Sequence, residues 1–322
     1  MSQHLPGTLL HLISSHSGPV NAITFSALGG TYLLSGSSDR QIHLSRTNPG
    51  VSGDLKGPAK TNSPIQKYAG HGYAILDICC SQDNQSFASA GGDRSAFLWD
   101  VQTASTIRRC GGTRQGHAGR INTVCFAGFE KSVLVSGSED RTVKVWDLKS
   151  RNADPIMTFN EAGDSITAVA AFEDKLITGS VDGKIRAYDI RMGFCTEDTM
   201  PAAVTSLDIN KDGQAVLVGS LDSHLRLMDH KNGSCLQVFE NFRNSALRIK
   251  SCLGRSDTVV ISGAEDSGVV NVWDVMTGQK IGNVYVCQNI ISTVKWREEK
   301  QENSEIWASA GPEGLVRIYG SP

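Results

Sequence analysis

Long hydrophobic runs are absent. No stretch of the 322 residues approaches the roughly 18 consecutive apolar residues that cross a bilayer as a helix, so no transmembrane helix is expected. An excess of either charge is absent too: 31 Lys and Arg face 33 Asp and Glu, a formal net charge of −2. That balance exerts no global pull toward nucleic acid or an anionic membrane, and leaves only local patches open. The N-terminal Met1-Ser2-Gln3-His4-Leu5-Pro6 has neither a basic stretch nor an apolar run, so no signal peptide is expected. The eight cysteines are scattered, with no C-x-x-C pair. Cys79 and Cys125 fall in predicted strands, where a free thiol acts as a small apolar side chain. This usage points to a reducing compartment, cytosol or nucleus. The eight histidines lack H-x-x-x-H spacing, and there is no phosphate loop and no G-x-G-x-x-G after a strand. No catalytic, metal or cofactor site is therefore expected.

What is present is a repeat. A short apolar strand, a Gly/Ser/Asp turn and a second strand lead to Trp-Asp or a variant. The clearest copies run Ser89-Ala90-Gly91-Gly92-Asp93 to Trp99-Asp100 and Ser136-Gly137-Ser138-Glu139-Asp140 to Trp146-Asp147. Further copies end at Tyr188-Asp189, Met228-Asp229 and Trp273-Asp274; degraded ones end at Ser45-Arg46 and Tyr319. The turn acids, at 39, 93, 140, 182, 222, 266 and 313, are spaced 54, 47, 42, 40, 44 and 47 residues apart. WD40 blades repeat at about 40–45 residues, with four short strands each. The prediction is an all-β, seven-bladed WD40 β-propeller filling residues 1–322 as one domain. Six outer strands are expected near Gln66, Ile107, Met157, Phe194, Leu236 and Val284. The seventh blade runs out of chain at Pro322, so Thr8–Ile13 should supply its outer strand and close the ring. Closure removes the exposed edge that makes open sheets aggregate.

The motif residues have a structural reading. The Gly-His pairs at His71 and His117 precede the first strands of blades 2 and 3. In WD40 proteins such a His resembles one end of a buried hydrogen-bond chain. Here the chains would be His71–Asp93–Ser89–Trp99 and His117–Asp140–Ser136–Trp146. Buried polar groups need partners, and these satisfy one another. A catalytic reading of the His-Asp-Ser sets fails, because a nucleophile needs an exposed hydroxyl and an oxyanion site.

That leaves the surface. Arg40, Arg94 and Arg141 each follow the turn acid of their blade. They should ring one face with Tyr73 and Arg120 from neighbouring loops. Either they pair with the turn acids, or they form a basic rim that grips an acidic peptide or phosphate by bidentate contacts. A second cluster, Arg108, Arg109, Arg114 and Arg120, lacks the interleaved aromatics that stack bases, and reads better as a solvated strand edge. Thr47–Pro64, rich in Pro, Gly, Ser and Thr, reads as a flexible insertion in blade 1, and Arg297–Glu305 as a charged one in blade 7. Both should project from the face opposite the rim.

Several stretches go beyond generic WD40 character: Tyr68-Ala69-Gly70-His71-Gly72-Tyr73 with Leu76-Asp77, Gly116-His117-Ala118-Gly119-Arg120-Ile121-Asn122-Thr123-Val124, and Gly179 through Asp189-Ile190-Arg191-Met192-Gly193. Together they resemble the mitogen-activated protein kinase organizer family of WD-repeat proteins, across all blades and most strongly in blades 2 to 4. The resemblance implies a monomeric, non-enzymatic scaffold without cofactor or membrane. Its partners would be proteins: kinase-cascade components in the cytoplasm, spliceosomal proteins in the nucleus, or both. Nucleic acid would be met only indirectly within a complex. The two insertions and the lengthened Cys110–Gly116 stretch depart from the family pattern. A different function, substrate receptor of a cullin-RING ubiquitin ligase, rests on Tyr188-Asp189-Ile190-Arg191, which approximates the W-D-x-R signature of such receptors.

Overall fold

A computed structural model describes residues 6–27, 29–48, 59–128, 132–150, 152–190, 194–297 and 305–320. These residues form seven sheets, antiparallel but for one added parallel strand, and no helix: a seven-bladed β-propeller. In each blade the strands run a to d from the axis outward. Blade 1 shows the order, with Val20–Phe25, Tyr32–Ser37, Gln41–Arg46 and Gln66–Ala69 as its four strands. The b–c turns and the loops from strand d to the next strand a share one face. The a–b and c–d connections share the other.

The core lies between blades, and glycine on strand b lets them approach. A Cβ on Gly137 would sit 2.5 Å from Ile166 Cγ2 and 2.9 Å from Val169 Cγ2 of the next blade. Side-chain bonds to backbone carbonyls tie neighbouring inner strands. Asn21 Nδ2 donates to Ile75 O at 2.7 Å, Asn122 Nδ2 to Ile166 O at 2.8 Å and Thr167 Oγ1 to Val204 O at 2.6 Å. The largest buried side chains are Trp99, Trp146, Trp273 and Trp307. Trp99, Trp146 and Trp273 on strands c, and Trp307 on strand b of blade 7, each fill the gap between their own blade and a neighbour, so truncation to alanine should cost about 3–5 kcal/mol.

The chain ends meet in blade 7. Thr8–Ile13 pairs antiparallel with Val316–Gly320 as its fourth strand, with a bulge between Leu9 and His11. The blade 1 insertion behaves differently from a plain flexible loop. Its residues Ala59–Thr61 form a fifth strand, parallel to Thr8–Ile13. Ser14 N donates to Thr61 O at 3.0 Å, and His11 Nε2 lies 2.6 Å from Thr61 Oγ1. The insertion thus bridges blades 1 and 7 across the seam. Positions 49–58 of that insertion, and 298–304 of the blade 7 insertion, lie outside the described residues.

Candidate functional site

The b–c turns decide what this face presents. In blades 2 and 3 the His-Asp-Ser-Trp chains are continuous. His71 lies 2.5 Å from Asp93 and 2.7 Å from Ser89, and Trp99 Nε1 donates to Ser89 Oγ at 2.8 Å. His117 makes the same contacts to Asp140 and Ser136 at 2.9 and 2.8 Å, and Trp146 donates to Ser136 at 2.8 Å. Burial alone would raise the Asp140 carboxyl. The hydrogen bonds from His117, Thr142 and the Ala118 amide outweigh it and hold the group well below the usual carboxylate range. The serine hydroxyls are fully buried and spent on the indole and imidazole. These residues hold the turn in shape and offer no exposed nucleophile.

Blade 1 carries a chain that the motif pattern did not show. His16 lies 2.9 Å from Asp39 and 2.8 Å from Ser35. Ser45 occupies the tryptophan position, and His43 stacks on His16 instead, with ring centroids 4.0 Å apart. The signal was the spacing: His16 precedes Asp39 by 23 residues, as His117 precedes Asp140. In blades 4, 5 and 7 an arginine on strand c takes the place of the missing histidine. Arg186 reaches Asp182 at 2.9 Å, Arg226 reaches Asp222 at 2.6 Å, and Arg317 reaches Glu313 at 2.5 Å. Blade 6 requires a correction. Asp266 is exposed, and Glu265 accepts from the Ala246 amide at 2.7 Å and the Leu247 amide.

Arg40, Arg94 and Arg141 follow their turn acids with φ of 70°, 55° and 68°. The equivalent residues of blades 4 and 7 are Gly183 and Gly314, which adopt φ of 76° and 73° at no steric cost. A non-glycine residue in this left-handed region costs on the order of 1–2 kcal/mol. All three arginines are exposed, and none makes an ion pair or hydrogen bond through its side chain among the described residues. Pairing with the turn acids does not occur, because His16, His71 and His117 already occupy them. Arg120 differs: its Nε lies 3.1 Å from Glu139. Tyr73 is 63 % exposed and rests over Gly92.

The second basic cluster disperses. Arg108 donates to the carbonyls of Asp147, Ser150 and Asn152 in blade 3, and Arg109 lies over the Phe97 ring at 5.2 Å from its centroid. Arg114 stays exposed. No shared track for a nucleic-acid backbone forms. The four-residue stretch Tyr188–Arg191 also divides. Tyr188 is buried and donates to Glu161 at 3.2 Å, while Arg191 lies outside the described residues.

The repeated blades decide the lineage, and they match the WD domain, G-beta repeat family over residues 7–44, 62–100, 108–147 and 196–229. The chain belongs to the WD40-repeat family. It is 37 % identical over 292 residues to WD repeat domain-containing protein 83 of Rattus norvegicus, covering 91 % of this chain and 87 % of that protein. A homolog of that protein from Dictyostelium discoideum is 29 % identical over 338 residues, covering 96 % of each chain. Pre-mRNA-processing factor 17 of Mus musculus is 22 % identical over 325 residues, with 98 % of this chain matching 52 % of that protein. As in WD40 propellers generally, the fold supports a scaffold or adaptor role with protein partners. Among the described residues no group of three His, Cys, Asp or Glu is placed to hold a metal.

The axial channel was not legible in the repeat. Asp77, Asp208, Arg248, Lys250 and Lys295 line it, from blades 2, 5, 6 and 7. Their signal was a charged residue on or beside an innermost strand, where small and apolar residues prevail.

Proposed function

We propose that this protein is a non-enzymatic scaffold that gathers protein partners on the face bearing Arg40, Arg94 and Arg141. By its resemblance to the mitogen-activated protein kinase organizer family it serves a kinase cascade in the cytoplasm and the splicing machinery in the nucleus. The similarity to pre-mRNA-processing factor 17 supports partners of the second kind.

One observation carries the reading of the face. Three arginines occupy strained left-handed positions that glycine fills in blades 4 and 7 and Ser223 fills in blade 5, and their side chains have no partner among the described residues. Stability does not account for them. The opposite half of the same face carries the exposed carboxylates Glu161, Asp164, Glu240 and Asp266. A partner with an acidic segment would be oriented by that contrast, drawn in faster and held by bidentate contacts.

Affinity purification from separate nuclear and cytosolic fractions, followed by mass spectrometry, tests the assignment. Kinase-cascade components in the cytosolic eluate and spliceosomal proteins in the nuclear one are expected. Neither set, under conditions where the bait is recovered folded, would overturn the reading.

A further inference from the structure

The axial channel holds charges that the repeat does not require. It encloses about 330 Å³. Asp77 is fully engaged, with Lys250 Nζ at 2.6 Å and the Val124 amide at 2.9 Å. Asp208 accepts from the Leu253 amide at 2.9 Å and faces Lys295 Nζ at 3.5 Å. Two carboxylates therefore face three cations, Arg248, Lys250 and Lys295. The unmatched cation is Arg248. Its Nη1 donates to Asn122 O at 2.8 Å and its Nε to Thr205 O at 3.4 Å, while its Nη2 makes no hydrogen bond among the described residues. The nearby Asp77 carboxylate favours the Arg248 charge but makes its hydrogen bonds to Lys250 and the Val124 amide. Carbonyl dipoles solvate a guanidinium without neutralising it, and a charge only partly compensated in a low-dielectric channel attracts a counter-charge.

The position of Arg248 says where that counter-charge comes from. It lies in the loop between Phe239 and Ser251, on the face that carries the three free arginines. Its side chain crosses from blade 6 to carbonyls near the start of the inner strands of blades 3 and 5, so it sits in the channel mouth. Leu247 beside it in the chain is 43 % exposed, and Tyr73 on the same face is 63 % exposed. The mouth thus has a cation with a spare donor and apolar side chains on the surrounding face.

We propose that the mouth of the axial channel binds one carboxylate, the side chain of an Asp or Glu in an extended protein segment lying across this face, with Arg248 as its partner. This rests on the reading of the face as the docking surface. A monoanion matches the single unmatched cation. A phosphate dianion would leave a negative charge in the channel, and an RNA would find on this face two exposed tyrosines in separate blades, Tyr73 and Tyr285, rather than a run of stacking aromatics among the described residues. A carboxylate held by Nη2 forms a charge-assisted bond, stronger than a neutral one.

Arginine Nε–Hε resonances of the full chain in solution test this, with Arg248→Lys used to assign the Arg248 signal. The probes are the blocked tripeptides acetyl-Gly-Glu-Gly-amide and acetyl-Gly-Gln-Gly-amide, inorganic phosphate, and sodium chloride at matched ionic strength. The glutamate peptide should shift the Arg248 signal saturably, and the glutamine peptide and chloride should not. Equal responses to both peptides, or no saturable response to either, would overturn the proposal. So would saturation by phosphate without saturation by the glutamate peptide. Arg40→Glu/Arg94→Glu/Arg141→Glu should keep the glutamate response even if it loses its protein partners, so failure of the rim and failure of the channel site are told apart. The wild-type titration decides the matter if the Arg248→Lys chain does not fold.

Discussion

At the scale of single residues, the turn acid is held by histidine in some blades and by arginine in others. Blades 1, 2 and 3 use His16, His71 and His117 against an aspartate; blades 4, 5 and 7 use Arg186, Arg226 and Arg317. Asp140→Ala strips His117 of its carboxylate partner and removes the acceptor of the Ala118 amide. A loss of about 1–3 kcal/mol is expected in chemical denaturation, and a loss of a few tenths would show that the chain contributes little. The free arginines predict the opposite behaviour. Arg94→Gly, like the same change at 40 or 141, removes left-handed strain but loosens the unfolded chain. The two effects nearly cancel, so stability should stay within about 1 kcal/mol of the parent while partner binding weakens. The stacked pair in blade 1 adds a pH dependence. Burial, with the neighbouring His16, pushes His43 down to about 4. An unfolded histidine takes its proton near 6.5. Between those values the unfolded chain binds more protons, so stability falls as pH falls from about 6.5 to about 4 and is unaffected by this group above that window. His43→Gln should flatten the slope of melting temperature against pH there; an unchanged slope would remove His43 from the account.

At the scale of elements, the closing strand concentrates the most consequence in the fewest residues. Thr8–Ile13 is bonded on both sides, to Val316–Gly320 and to Ala59–Thr61. Removing residues 1–14 opens the ring and exposes two strand edges at once. A sharply lower melting temperature and concentration-dependent aggregation are expected in calorimetry and light scattering; an unchanged melt would contradict the closure. The strands themselves were readable, because period-two alternation and Gly/Asp turns are local signals. The six outer strands lie where the repeat puts them, from Gln66–Ala69 to Lys280–Tyr285. The parallel strand Ala59–Thr61 was not readable. Its three residues carry no alternation of their own and become a strand only because Thr8–Ile13 offers a free edge. The blade 6 turn misled for a related reason: an extra residue before Trp273 lets Glu265 rather than Asp266 reach the loop that enters the blade.

At the scale of the whole molecule, ring closure brings together residues that are far apart in the chain. Lys250 bonds Asp77 across 173 positions and Arg248 bonds Asn122 across 126. No local pattern announces such pairs, which is why the channel charges escaped a reading by repeats while the arginine face did not. Arg40, Arg94 and Arg141 recur at one place in the repeat, so their common face followed from the period alone. The engagement of Asp93 by His71 and of Asp140 by His117 was readable from the Gly-His pairs; the third, of Asp39 by His16, was not, and the sequence left open whether the arginines would pair with these acids. Like charges on one arc repel unless an acidic partner compensates. Pull-down of the principal partner by Arg40→Glu/Arg94→Glu/Arg141→Glu, run beside a thermal melt of the same protein, measures this most directly. Loss of the partner with the melting temperature nearly unchanged is the predicted result. Full retention of the partner by the folded triple variant would contradict it, and would shift attention to the opposite face and the Thr47–Pro64 insertion.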